Sequence, residues 1–211
     1  MFDYSLLHWS TFLIAAFLLN LSPGPDIAFV LGQTVRGGRK SGFAAMFGIW
    51  TGGFGHVLMA AAGLSAILAT SAVAFSVVKW VGAAYLIWLG ITALRSGGGS
   101  FVSNQIQHSS DFFLIFRQGV IVALLNPKVA IFFLAFLPQF VVAGAGPVWA
   151  QLFLHGTLII VVAAFIDPPL IIAGERLTTK LRNNPRIGLW MNRSLGAIFV
   201  ALGARLASEE R

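Results

Sequence analysis

The sequence predicts an all-α integral membrane protein of six transmembrane helices, arranged as two inverted three-helix repeats with helices one and four broken. Three observations carry this. The 211-residue chain is 57% hydrophobic and only 10% charged, where soluble domains carry about 25% charged residues. Several apolar runs exceed the ~20 residues that a bilayer-spanning helix needs. A proline-containing break interrupts one apolar run in each half of the chain, at Ser22-Pro23 and at Asn126-Pro127.

The expected spans follow in order. The first covers about 9–33 and is broken near 22–25. The second covers about 43–69 and the third about 73–94, with Lys79 near an end. The segment 96–111, SGGGSFVSNQIQHSSD, is Gly- and Ser-rich and reads as a polar linker between the repeats 1–95 and 112–211 of one transporter domain. The fourth span, about 112–143, is either one long kinked helix or two half-helices meeting at Asn126-Pro127. The fifth is about 148–173, with Pro168-Pro169 near its end, and the sixth about 188–206.

Lys and Arg in short loops set the orientation. Arg36, Arg39 and Lys40 lie in the first loop, Arg95 and Arg117 flank the linker, and Arg176, Lys180, Arg182 and Arg186 lie in the fifth. With six spans these odd-numbered loops share one side, expected to be cytoplasmic, and both termini are external. The net charge of +7 is accounted for by those loops and does not point to nucleic acid. The N-terminus has no basic stretch and carries Asp3, so no cleavable signal is expected. Two repeats of three spans must insert in opposite orientations, the inverted plan in which paired broken helices meet near the bilayer midplane.

A proline at position i leaves the carbonyl of i−4 without its helical donor. Pro23 frees Leu19, Pro25 frees Leu21 and Pro127 frees Ala123. Such backbone is tolerated in a membrane where it faces protein or a water-filled cavity. Freed carbonyls accept from an ammonium group, and open amides at a half-helix N-terminus donate to a carboxylate. A zwitterionic amino acid presents both groups. The competing reading of each break is a plain kink satisfied by neighbouring helices.

Three ionisable residues fall inside the spans: Asp26, Lys128 and Asp167. Each costs about 2.5–3.5 kcal/mol at the bilayer centre on insertion scales. Asp26 and Lys128 each follow a break. In one reading Asp26 meets a substrate amine or a proton and Lys128 meets the carboxylate; in the other they form a structural ion pair. Asp167 precedes Pro168-Pro169 and either sits in an unwound segment or is solvated near the cytoplasmic interface. Gly48, Gly52, His56 and Ala60 share one helical face, with Gly63 close by; small residues at this spacing let helices approach closely. His56 on that face is either a proton carrier, with an unperturbed pKa of about 6.5, or a hydrogen-bonding partner of the next helix. Trp9, Trp80 and Trp149 are expected to anchor at the interface.

The chain has no cysteine, which excludes disulfides and thiolate metal sites. No phosphate-binding loop is present, since GGRKSG lacks the Gly-Lys-Ser order and spacing. No HExxH, GxSxG or clustered carboxylates support enzyme chemistry. No cofactor and no metal is expected.

The chain resembles the LysE/RhtB family of amino-acid exporters along nearly its whole length. The resemblance is carried by LSPGPD at 21–26, GRKSG at 38–42, GHVLMAAAGL at 55–64, VKWVGAAYLIWLG at 78–90 and FRQGVIVALLNPKVAIFFLAFLPQF at 116–140. It implies about six spans in the bacterial inner membrane and export of amino acids or related metabolites in exchange for protons. It makes Pro23, Gly24 and Pro25 the family's Pro-Gly-Pro, and Asn126, Pro127 and Lys128 its second-half Asn-Pro-Lys. FIDPPL at 165–170 is not a signature of that family, so Asp167 draws no support from it.

The expected function is therefore outward secondary transport of an amino acid or similar small zwitterion, with a passive small-solute channel as the alternative. The expected substrate site is Asn20, Ser22, Pro23, Gly24, Pro25, Asp26, Asn126, Pro127 and Lys128. The expected proton-coupling residues are Asp26, His56 and Asp167. The partners are the substrate, protons and the lipid bilayer, and the glycine faces are compatible with a homodimer.

Overall fold

The computed structural model describes residues 3–21, 24–64, 72–95, 111–174 and seven helical positions from Trp190 to Ala207. Among the described residues the chain is helical, with no strand. Helix α1 is Leu6–Leu21 and α2 is Pro25–Met59, closing in a π-helical turn Ala60–Leu64. Helix α3 is Ala72–Arg95, α4 is Phe112–Leu124, and α5 is Pro127–Phe136, followed by a 3-10 turn Leu137–Phe140. Helix α6 is Val148–Ile172. By length and composition, 25–64 and 148–172 can each cross a membrane, and the bent pair α4–α5 makes a third crossing if counted as one span. Ser22, Pro23, the linker 96–110 and the basic stretch 175–189 lie outside the described residues, as does most of the sixth expected span.

The first turn falls where the sequence put it but is a hinge and not a loop. No loop separates spans one and two; helix α2 continues through Arg36, Arg39 and Lys40, and its single non-helical residue is Gly38, at φ +72°. Glycine adopts that left-handed conformation without steric cost. One residue is enough to fold the helix back on itself. On a straight helix Thr34 and Gly42 would lie about 12 Å apart. Here a Cβ on Gly42 would run into the Thr34 hydroxyl and lie 3.0 Å from Ile171 Cγ2. The two arms, 25–37 (α2a) and 39–59 (α2b), therefore pack against each other. The buried hydroxyls beside the hinge are satisfied locally: Thr34 donates to the Val30 carbonyl at 2.7 Å and Ser41 to Gly37 at 3.1 Å.

The fourth expected span is two half-helices. Helices α4 and α5 meet at a 54° bend. Asp111 caps α4 by accepting from the Phe113 amide at 2.9 Å, and Asn126 caps α5 by accepting from the Lys128 amide at 3.0 Å. Pro168 and Pro169, by contrast, do not unwind α6. They stand near its end, and the carbonyls they leave without a helical donor are those of Ala164 and Phe165, four residues back.

Helix α2b crosses α4 through glycine. A Cβ on Gly119 would lie 2.7 Å from the Ala45 carbonyl and 3.0 Å from Gly48 Cα; one on Gly52 would lie 2.7 Å from Ala123 Cβ. Gly48, Gly52, His56 and Ala60 are all buried, as expected for a packing face, whereas Gly63 meets nothing within 4 Å. Around this crossing Phe29, Met46, Ile115 and Ile171 form one apolar cluster. A second cluster joins α1, α5 and α6 through Phe12, Phe132, Phe136 and Phe140, with ring centroids 4.3 Å apart for Phe132–Phe136 and 4.6 Å for Phe136–Phe140.

The two ends of the bundle are defined by side chains. At one end Tyr4 donates to Gln151 Oε1 at 3.0 Å, and Gln151 Nε2 donates to the carbonyls of Val142 and Gly146 at 3.0 and 2.8 Å. At the other, Arg39 reaches the Ile172 carbonyl at 3.4 Å. Trp80 and Trp149 are exposed, as interfacial anchors are, but Trp9 turns inward and stacks on His155.

Candidate functional site: a polar cavity between two broken helices

Both breaks restart a helix in the same way. Gly24 caps α2 with Pro25 as its first residue and Asp26 as its second. Asn126 caps α5 with Pro127 first and Lys128 second. Proline suits the first position of a helix, where no amide donor is needed and φ is already helical. The structural counterpart of Pro127 is thus Pro25, and opposite charges occupy equivalent second positions. A carboxylate there is favoured by the helix dipole and an ammonium is opposed by it.

Asn126 joins the two restarts. It is 3% exposed, and its Nδ2 donates to Asp26 Oδ1 at 2.9 Å while its own Oδ1 caps α5. Asp26 and Lys128 feel each other electrostatically, and Asp167 feels Asp26. All three line one cavity of about 80 Å³, where a single water needs ~10–15 Å³. Asn20 and Gly24 contribute to its wall from the first break, Ala123 from the second, and Ile159 from α6. The rest of the lining is mostly apolar, including Leu19, Val30 and Phe133. The structure brings Asn20, Gly24, Asp26, Lys128 and Asp167 together on the cavity and holds Asn126 at Asp26; Ser22 and Pro23 lie outside the described residues.

Asn20 is partly spent. Its Nδ2 donates to the Ala16 carbonyl at 2.9 Å and to the Ile159 carbonyl at 3.1 Å, tying the end of α1 to α6. His56 is off the cavity wall. Its Nε2 lies 3.1 Å from the Ala123 carbonyl, the group that Pro127 deprives of its helical donor. A carbonyl only accepts, so Nε2 carries the hydrogen. Of the two roles open to His56 in the sequence, the structure displays the hydrogen bond to a neighbouring helix.

Both expectations for Asp167 are corrected. It lies in unbroken α6, and it is 9% exposed and therefore not solvated. Its Oδ2 accepts from the Trp50 indole at 2.7 Å. Trp50 was not among the expected site residues. The available signal was an indole N–H within an apolar span, which requires an acceptor. Likewise unforeseen were His8, His155 and Gln151, which meet at the end of the bundle away from Arg39.

Chemically, the cavity offers two carboxylates and one ammonium, flanked by two half-helix N-termini. Among the described residues no group of three or more His, Asp or Glu is placed to hold a metal. The arrangement can bind and orient a small charged solute.

Residues 17–210 match the family described as LysE type translocator. The "Homoserine/homoserine lactone efflux protein" of Salmonella typhi is 32% identical over 200 residues, 95% of this chain and 96% of that protein. The "Leucine efflux protein" of Salmonella choleraesuis is 30% identical over 206 residues, 98% of this chain and 97% of that protein. No solved structure matches the chain significantly. A cavity closed by two broken helices, in a chain matched from end to end by translocators, belongs to a transporter and not to an enzyme: the chain is a member of the LysE-type translocator family.

Proposed function

We propose that the protein is a secondary transporter that exports an amino acid or a similar small zwitterion from the cytoplasm by proton antiport. The observation that carries this reading is the pair of opposite charges, Asp26 and Lys128, at matching second positions of two half-helices that open on one cavity. The substrate carboxylate would sit against Lys128 at the N-terminus of α5, where an anion relieves the clash between ammonium and helix dipole. The substrate ammonium would meet Asp26, and Asp167 leaves one carboxylate over. An exported ammonium and an imported proton then compete for Asp26, which couples the two. A proton moving down 100 mV supplies about 2.3 kcal/mol. The names of the two efflux relatives support an amino-acid cargo.

The six-span inverted plan, 1–95 and 112–211 about the linker 96–111, is part of this proposal. It is supported by the matching restarts, and by α1 packing on α6 as α4 packs on α2b. The bacterial inner membrane is the proposed site, with both termini outside and the Arg39 end facing the cytoplasm. The Gly48–Gly52 face is spent on α4 within the chain and does not carry the proposed homodimer.

The test is efflux from cells loaded with a panel of amino acids as dipeptides, with and without a protonophore. Selective efflux that needs the gradient and is lost in Lys128→Ala and Asp26→Asn is the expected result. Efflux indifferent to the gradient would make the protein a passive pore. Gradient-driven efflux in Asp26→Asn would remove Asp26 from the coupling.

A further inference from the structure

Away from the cavity, two imidazoles face each other. His8 Nε2 and His155 Nε2 are 2.9 Å apart, joining the start of α1 to α6. His155 is 1% exposed, and its Nδ1 lies 2.8 Å from the Gln151 carbonyl. That carbonyl accepts, so the hydrogen of neutral His155 is on Nδ1 and its Nε2 presents a lone pair. His8 must then donate from Nε2. The tautomers of both rings are fixed by one backbone oxygen.

We infer that His8 and His155 form a proton-binding site, separate from the cavity, that takes up one proton, and only one, while α1 stays clasped to α6. The first proton goes to the free lone pair on Nδ1 of His8, a half-buried residue. The N–H···N bond to His155 becomes charge-assisted, roughly twice as strong as a neutral one. A second proton would have to occupy His155 Nε2. Two N–H groups and two positive charges would then meet at 2.9 Å, and the clasp would open.

The aromatic ring faces around the pair can hold a single cation. Tyr4 stacks on His8 with centroids 4.3 Å apart and planes 11° apart, and Trp9 stacks on His155 at 5.5 Å and 18°. Ring faces within ~6 Å attract a cation. Among the described residues, the titratable groups facing the pair are Tyr4 and the two imidazoles themselves. Phe12, Phe140 and Gln151 complete the enclosure from α1, the 3-10 turn and α6 and carry no charge.

The experiment is ¹⁵N NMR of the full chain in lipid nanodiscs with only histidine labelled. The chain has 4 histidines, and His8→Gln assigns the pair by difference. From about pH 8 to 5, where imidazoles titrate, the two rings should shift together with uptake of one proton. A nitrogen–nitrogen coupling across the shared hydrogen should be present before and after. In His8→Gln the joint shift and the coupling should vanish. Independent titration of the two rings, uptake of two protons, or absence of the coupling at every pH in the wild type would overturn the inference. None of these readouts requires transport, so the outcome is separate from that of the export assay.

Discussion

Asn126 Nδ2 donates to Asp26 Oδ1 across 100 residues of sequence, at 2.9 Å, and this bond ties the two half-helices of the cavity to each other. The same side chain caps α5. Asn126→Ala should therefore lose a cap, about 0.5–2 kcal/mol, and a bond to a charged group, about 1.5–3 kcal/mol. A lowered melting temperature and loss of efflux are expected. Asn126→Asp keeps the cap but sets a second carboxylate against Asp26. Two carboxylates in contact must share a proton, so efflux by Asn126→Asp should be weak at neutral pH and recover as pH falls. Efflux measured against pH in the two variants separates capping from bridging.

His56 Nε2 donates to the Ala123 carbonyl at 3.1 Å, beside the Asn126 amide, which donates to the same oxygen at 3.1 Å. The Asn126 amide still serves that carbonyl in His56→Ala, which should therefore cost about 0.5–1.5 kcal/mol, the net worth of one hydrogen bond. His56→Gln supplies an amide donor in place of the imidazole and should restore most of the stability. It should also keep gradient-driven efflux. Loss of gradient dependence in a well-folded His56→Gln would instead give His56 the proton.

Contact between α2b and α4 leaves no room for side chains. Gly119→Val should force the helices apart and cost about 1–3 kcal/mol, the usual range for overpacking. Gly63→Ala should be silent, because nothing lies within 4 Å of the added carbon. Thermal melts in detergent for both variants check the contrast.

The parts of this site that sequence reveals are those written in local chemistry. Proline removes a donor wherever it stands, so both breaks and the freed Ala123 carbonyl were legible. The packing face of Gly48, Gly52 and His56 was legible from helical spacing alone. What failed was the scale of local effects. Gly-Gly-Arg-Lys reads as a loop, yet one left-handed glycine makes the turn. Pro168-Pro169 reads as a break, yet α6 continues through it to Ile172. Pairings between distant residues were not legible at all. Trp50 meets Asp167 across 117 residues and His8 meets His155 across 147. No local pattern encodes either.

The wholly cysteine-free chain makes its topology directly testable. Tyr4, Gln151 and Gly146 meet at one end of the bundle, and Arg39 meets Ile172 at the other. Single cysteines at Asp3 and Gly144 should thus share one side of the membrane, and a cysteine at Arg39 should lie on the opposite side. In the proposed orientation the end near Arg39, rich in Lys and Arg, faces the cytoplasm. In intact cells a membrane-impermeant maleimide should label Asp3→Cys and Gly144→Cys. It should reach Arg39→Cys only after the cells are opened. Labelling of all three from outside would mean that α1 and α2a do not together cross the membrane. Labelling of Arg39→Cys alone would invert the protein and reverse the direction of transport proposed for it.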